Sequence, residues 1–288
     1  MNILIGIPHV FRPQDGSVLS SQTEAKRALK AAALQQVTHG NLDLLRGRQV
    51  QHRYHQRRWV ALEQACEGHQ VQLQLHVIEP WHLLEALGPA GTWPAELRLL
   101  RHQLADPTDL ALAVSRSLLA QAAAEPSWDL VVYLEDDIVL LDCDLPDKVL
   151  QLVQQAGEDY AFMPHRCEHQ PGVGDVVLAG EPTEPRPELY WATGEMLELA
   201  WLGSSKRFAR VVNPHAGCYL LTQAQAARAH GYWQARQWQI DYHWAGKLEM
   251  ACTGIFLPIF RLMKIAPEQA RHFQVRHLDC LWQGIPRG

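Results

Sequence analysis

The segment Asp129-Leu-Val-Val-Tyr-Leu-Glu-Asp-Asp-Ile-Val-Leu140 constrains the fold of this chain more than any other. Its apolar, β-rich residues predict a buried strand, and the carboxylates of Glu135, Asp136 and Asp137 follow where that strand ends. Open α/β sheets place ligands at strand ends. Adjacent carboxylates repel one another, so such a cluster needs a cation, a basic partner or water. Mg²⁺ or Mn²⁺ takes one or two protein carboxylates and fills its shell with water and substrate phosphates, which points to a phosphorylated substrate.

Length and composition limit the class of protein. A chain of 288 residues with 47% hydrophobic content can bury a full core in one large domain or two small ones. A net charge of -5 argues against a nucleic-acid protein held by bulk phosphate attraction. Six scattered cysteines do not suggest a disulfide scaffold, which favours reduced thiols and a cytoplasmic location. No apolar run reaches a membrane-spanning length, which leaves only peripheral attachment to a membrane open.

The order of predicted elements is that of βαβ units. Residues 2–8 and 71–78 predict strands, a capping-box pattern at Ser21 opens a helix over 21–36, and 107–124 predicts the helix before the acidic strand. This order predicts a mostly parallel sheet flanked by helices. The basic segment 46–58 is interpreted as a solvated helix face, with a wall of a diphosphate or acceptor site as the alternative.

The strand with its three acids resembles the metal-binding motif of nucleotide-sugar-dependent glycosyltransferases with the GT-A fold. The resemblance implies a GT-A-like, Rossmann-like α/β fold in a single domain, 1–288, with a nucleotide-sugar-binding half (1–140) and an acceptor-binding half (141–288). It implies transfer of a sugar from a nucleotide-diphosphate donor to a carbohydrate or other hydroxyl acceptor, with Mn²⁺ or Mg²⁺ as cofactor. Asp137 would be the metal ligand, and Glu135 and Asp136 would face the ribose and the donor sugar.

The alternative interpretation of these acids is a solvated turn after a strand. If Asp137 instead binds a metal at an exposed strand end, Asp137→Ala is expected to abolish metal-dependent donor binding and leave the fold intact. His9, which opens the loop after the first strand, and Arg116, on the helix before the acidic strand, are assigned to the donor. A snorkelling surface position is the alternative for Arg116.

The resemblance also implies a histidine returning near the C-terminus as a further metal ligand. Within Arg271-His-Phe-Gln-Val-Arg-His277, His277 or His272 could take this role. The alternative is that both histidines belong to the polar face of a final strand.

A catalytic base for inverting family members is implied near a later helix start. Asp241 lies at the matching place, although Ile240 stands where the family more often has an acid, and Glu249 is the alternative carboxylate. A helix cap is the other interpretation of Asp241. The turn 212–219 falls in the acceptor half, where it either allows close approach by a sugar or is simply a tight turn.

Two further interpretations of function stay open. A metal-dependent phosphodiesterase or nucleotidyl enzyme could use the same acids, although it would need additional ligands. A non-catalytic sugar-binding protein could use tryptophans and the basic segment instead. His165-Arg-Cys-Glu-His169 is a rival zinc cluster, but it lacks a second paired motif and is predicted to be a polar loop with a free thiol.

Overall fold

The structure, a computed structural model, describes residues 1–13, 23–47, 50–61, 68–177, 192–240 and 246–278. The strands in this part are β1 (Asn2–His9), β2 (Val50–Arg53), β3 (Arg58–Ala61), β4 (Gln70–Ile78), β5 (Leu97–His102), β6 (Leu130–Leu134), β7 (Ile138–Leu140), β8 (Tyr160–Met163), β9 (His165–Gln170), β10 (Gly174–Val177), β11 (Ala192–Trp201), β12 (Ser204–Val211), β13 (Cys218–Thr222), β14 (Arg261–Ile265) and β15 (Gln274–His277). The helices are α1 (Arg27–Gln35), α2 (Asn41–Leu45), α3 (Leu110–Ala124), α4 (Leu145–Ala156), α5 (Gln223–Ala235) and α6 (Lys247–Cys252).

The central sheet has the strand order β13-β6-β1-β4-β5. Strands β6, β1, β4 and β5 are parallel, and β13 pairs antiparallel with β6. The chain moves outward from β1 to β4 and β5 and then returns through α3 to β6, on the other side of β1. Such a reversal opens a crevice between the carboxyl ends of β1 and β6. The predicted α/β class with parallel strands is confirmed.

Helix α3 begins after a capped helical turn and packs closely on β1. The Asp106 carboxylate accepts a hydrogen bond from the Thr108 backbone N–H at 2.9 Å, as the Asp-Pro start of the predicted helix suggests. A Cβ atom at Gly6 of β1 would lie 2.7 Å from Leu118 Cδ1 of α3, so any larger residue would require the Leu118 side chain to move. The packing fixes β1 beside the strand that carries the acids.

Two smaller mixed sheets accompany the central sheet in the described residues, with the orders β10-β9-β15-β7 and β11-β12-β14-β8. Strand β7 begins directly after the three acids, and β15 pairs with it antiparallel so that His277 lies opposite Ile138. Strand β15 also pairs in parallel with β9. This sheet brings the end of the described chain back to the acids. Strand β15 lies where the alternative interpretation placed a final strand, although His277 is buried in it and His272 lies before it.

Three predicted features need correction or fall outside the description. The basic segment is not a helix face: β2 and β3 form a hairpin closed by a helical turn, Tyr54–Gln56, because residues 50–61 pair with each other. The expected loop at His165 is strand β9, because β10 and β15 pair with its two edges. Ser21 lies outside the described residues. No helix among those described is long and apolar enough to cross a membrane.

Candidate functional site

Glu135, Asp136 and Asp137, the acid triplet, lie in the sharp turn between β6 and β7. The Glu135 N–H donates to the Gly217 carbonyl at 2.9 Å, and the Ile138 N–H donates to the Glu135 carbonyl at 3.1 Å. The turn holds all three acids at the carboxyl end of β6, where the crevice between β1 and β6 opens.

His9 of β1 reaches across this crevice to Asp136. Its Nδ1 lies 2.6 Å from Asp136 Oδ2, and its Nε2 accepts a hydrogen bond from the Leu83 backbone N–H at 3.0 Å. Because Nε2 is an acceptor, the ring proton of the neutral imidazole is on Nδ1 and is donated to Asp136. His9 and Asp136, both predicted to contact the donor, therefore contact each other.

Asp137 forms a buried ion pair with Lys30 of α1. Lys30 Nζ donates to Asp137 Oδ2 at 2.7 Å, and the Asp137 side chain is only 10% exposed. Burial alone would raise the pKa of Asp137, but the Lys30 charge and the hydrogen bond from His277 outweigh it and lower this pKa. The expectation that Asp137 stands on an exposed strand end is wrong, since α1 and β15 cover it.

His277 lies between two carboxylates. Its Nε2 is 3.5 Å from Asp137 Oδ2, and its Nδ1 is 2.8 Å from Glu168 Oε1. Burial lowers the pKa of His277, but the two carboxylates prevail and raise it to about 9. The predicted metal pair, Asp137 and His277, is thus brought together, whereas His272 lies in the helical turn Pro267–His272.

The geometry around Asp137 and His277 fits a divalent metal ion. Asp137 Oδ1 is buried, and within the described part of the chain it has no hydrogen-bond partner, so it is an unsatisfied oxygen of the kind that a cation would bind. A carboxylate such as Glu168, paired with the second ring nitrogen, commonly orients a metal-binding histidine. His277 would have to release a proton before its Nε2 could bind a metal. Two protein ligands are enough for Mg²⁺ or Mn²⁺ when substrate phosphates and water supply the others.

A different acidic group has the tightest ligand geometry. Among the described residues, Asp142, Cys143 and Asp144 are the only set of three whose potential ligand atoms all lie within 4.8 Å of one another. They lie beyond β7 at the start of α4, and Asp142 pairs with Lys148. This group is separate from the crevice.

Glu249, on the first turn of α6, lies close enough to Glu135 of the acid triplet for the two carboxylates to repel each other. Its Oε1 forms an ion pair with His215 Nδ1, and its Oε2 is buried without a hydrogen-bond partner among the described residues. Burial and the charges of Asp137 and Glu249 raise the pKa of Glu135 to about 8. The second candidate base therefore lies in the same site as the triplet.

The loop 213–217 holds both glutamates. His215 has a left-handed backbone with φ of 43°, and its N–H donates to Asn213 Oδ1 at 3.1 Å. Gly217 has φ of 64°, and a Cβ atom there would lie 2.9 Å from Glu135 Oε2. Lys264 of β14 donates to the Pro214 carbonyl beneath the loop. Such backbone strain is maintained only where the surroundings impose it, and it clusters at functional sites.

The other predicted positions lie elsewhere. Arg116 is exposed on α3, with its guanidinium 5.2 Å from the centre of the Trp238 ring. Asp241 lies outside the described residues. Sequence reasoning missed Lys30, Glu168 and His215.

A cavity of about 630 Å³ opens beside the crevice, at the carboxyl ends of β4 and β5. The segment after β4 lies between the cavity and the crevice. Its first residue, Glu79, lines the cavity, and the Leu83 N–H donates to His9 in the crevice. The cavity is lined by Ile78, Glu79, Arg101, His102, Gln103, Leu104 and Ala105.

Comparison with known proteins does not assign the chain to a family. No family model and no curated protein matches it. Among solved structures, it is similar to the crystal structure of mannose-1-phosphate geranyltransferase from Thermus thermophilus, with 12% sequence identity and a TM-score of 0.39 over 92% of this chain and 73% of that chain. At this level the likeness carries no argument about activity, so the class established here is a mixed α/β protein with parallel strands in its central sheet.

Proposed function

We propose that this protein is a metal-dependent GT-A-like glycosyltransferase, which moves a sugar from a nucleotide-diphosphate donor to an acceptor hydroxyl. The observation that carries the proposal is the position of the acid triplet at the β1/β6 switch point, with His277 brought back to Asp137. Open α/β sheets bind ligands at such a point. Asp137 and His277 would hold Mn²⁺ or Mg²⁺, which when bound would neutralise the charge of a departing diphosphate.

The remaining residues of the crevice have separate tasks. His9 holds Asp136 in one orientation, so that its free oxygen can accept a hydrogen bond from a donor hydroxyl. Lys30 keeps Asp137 ionised inside the protein. The cavity at the ends of β4 and β5 provides room for the nucleoside, next to the segment that holds His9.

Glu249 is the described carboxylate suited to accept the acceptor's proton. As the acceptor oxygen bonds to the anomeric carbon, the bond from that carbon to the diphosphate oxygen breaks, and the hydroxyl proton passes to Glu249 Oε2. His215 engages the other oxygen, and Oε2 has no partner among the described residues. Asp241 remains the competing candidate for this step.

Titration of the protein with UDP- and GDP-sugars, with and without Mn²⁺, tests the proposal. Metal-dependent donor binding, followed by release of UDP or GDP, supports sugar transfer. Sugar binding that needs no metal and gives no turnover would replace it with a sugar-binding role. Cleavage of simple phosphodiesters would replace it with a hydrolase.

A further inference from the structure

The basic hairpin β2–β3 projects from the edge of the central sheet that lies opposite the acid triplet. Gly68 lies against the Arg46 carbonyl, so the chain segments before and after the hairpin lie next to each other. Arg46 forms an ion pair with Glu96 at 2.6 Å, just before β5 begins, and β4 begins at Gln70. Both strand starts belong to the amino edge of the parallel sheet, whereas the proposed function uses the carboxyl edge.

One side of the hairpin carries exposed aromatic rings. Tyr54 is 80% and Trp59 is 69% exposed. The His52 ring lies between them, with centroid distances of 4.8 Å to Tyr54 and 4.7 Å to Trp59. Large aromatic side chains are usually buried, and a cluster left in water marks a surface that meets a partner.

The other side carries arginines that the fold leaves without compensating charge. Arg53 and Arg58 are directly opposite in the ladder, and like charges in this position destabilise a hairpin. Arg57 adopts a left-handed backbone with φ of 49° in the turn. Residues 50–61 contain no Asp or Glu, and none of these three arginines forms an ion pair within the described part of the chain. The local charge is therefore positive in a chain of net charge -5.

We propose that the hairpin of residues 50–61 docks the protein peripherally on an anionic membrane surface. Tryptophan and tyrosine favour the headgroup layer, and arginine pairs with lipid phosphates. Because neighbouring residues of a strand point to opposite sides, His52 and Trp59 face one side while Arg53 and Arg58 face the other. A ribbon entering the headgroup layer tip first immerses both sides, whereas a nucleic acid lying along one side would meet only the rings or only the arginines.

Co-sedimentation with lipid vesicles tests the docking. The full-length protein should bind vesicles that contain phosphatidylglycerol more tightly than vesicles of phosphatidylcholine alone. Replacing Arg53, Arg57 and Arg58 together by Gln should weaken binding by about a hundredfold, since each basic residue near an anionic surface contributes about fivefold. Trp59→Ala with Tyr54→Ala should weaken it by about tenfold or more, because the rings supply the interfacial contact.

Matched controls separate docking from general charge and exposure. Arg98→Gln with Arg271→Gln removes exposed arginines outside the hairpin, and Leu202→Ala removes an apolar side chain that is 86% exposed. Both controls should bind vesicles like the wild type, and all variants should keep its thermal midpoint. No preference for anionic vesicles, equal losses in the controls, or tighter hairpin-dependent binding to a single-stranded oligonucleotide than to vesicles would overturn the proposal. None of these results bears on donor binding at the carboxyl edge.

Discussion

At the scale of single residues, the ion pair between Lys30 and Asp137 makes Asp137 a structural group as well as a candidate ligand. Lys30 is only 4% exposed, so Asp137→Ala leaves a buried ammonium group without this carboxylate. We expect this variant to lose about 3–5 kcal/mol of unfolding free energy, in contrast to the intact fold expected from the sequence. Chemical denaturation measures the loss.

A double variant separates the two tasks of Asp137. Asp137→Asn combined with Lys30→Met removes both charges, so it should recover part of the lost stability but none of the Mn²⁺-dependent donor binding. Isothermal titration with Mn²⁺ and a UDP-sugar checks this expectation. Recovery of metal-dependent binding in the double variant would show that Asp137 is not a metal ligand.

The pairing of His215 with Glu249 leads to a second prediction. Glu249→Gln should slow donor turnover by about a hundredfold, and donor affinity should hardly change. His215→Leu should cause a smaller loss, because Glu249 keeps its carboxylate but loses the contact that holds its Oε1. Release of UDP or GDP, with water as acceptor, can be measured without knowing the natural acceptor.

A double-mutant cycle provides the control for this pair. His215→Leu should add little to the effect of Glu249→Gln, since both changes act on one carboxylate. His230→Leu, on the separate helix α5, should leave turnover unchanged. A larger rate loss in Asp241→Asn than in Glu249→Gln would assign the base to Asp241.

At the scale of elements, the loop 213–217 joins backbone conformation to the site. Gly217→Ala should lower the unfolding free energy by roughly 1–2 kcal/mol through its left-handed backbone, and should also weaken donor binding by displacing Glu135. Gly203→Ala is the matched control, because Gly203 has φ of 77° and open space around its Cβ position. It should lose stability without losing donor affinity, as denaturation and titration would show. Equal donor affinity in both variants would mean that Glu135 does not contact the donor.

At the scale of the whole molecule, the buried charges of the site make stability depend on pH. The folded-state pKa of His277 is about 9, above the ordinary value of 6.5, so its contribution is complete below pH 6.5 and is lost as pH rises through 9. Glu135, with a pKa raised to about 8, acts in the same direction. Without divalent metal, the unfolding free energy should fall by about 3 kcal/mol between pH 6.5 and 9 through His277 alone.

Urea denaturation at several pH values measures this dependence. His277→Gln removes the titrating ring and should flatten the curve over the same interval. A wild-type protein whose stability stays constant or increases towards pH 9 would contradict the ion pairs drawn for His277.

The sequence by itself determined strands β1, β4 and β6, their parallel order and the location of the acid triplet. These features depend on local pattern: the short apolar run 130–134, rich in β-forming residues, is typical of a buried strand, and chain order largely decides how βαβ units connect. One sequence signal for Lys30 was present, since it lies on the same helix face as Ala33 and Leu34, both of which are buried. The basic segment 46–58 was predicted to be a helix face from its run of charges, whereas its valine, tyrosine and tryptophan neighbours favour strands.

Only the tertiary structure decided which distant side chains share the crevice. Glu168 and His277 are separated by 109 positions, and strand pairing between β9 and β15 brings them together. A loop with left-handed backbone at His215 places this residue against Glu249, and no sequence pattern predicts that conformation. Burial of Asp137 likewise results from α1 and β15 closing over it. Sequence period determines which face of an element is apolar, whereas the pKa of a carboxylate depends on charges and solvent exclusion set by elements far away in the chain.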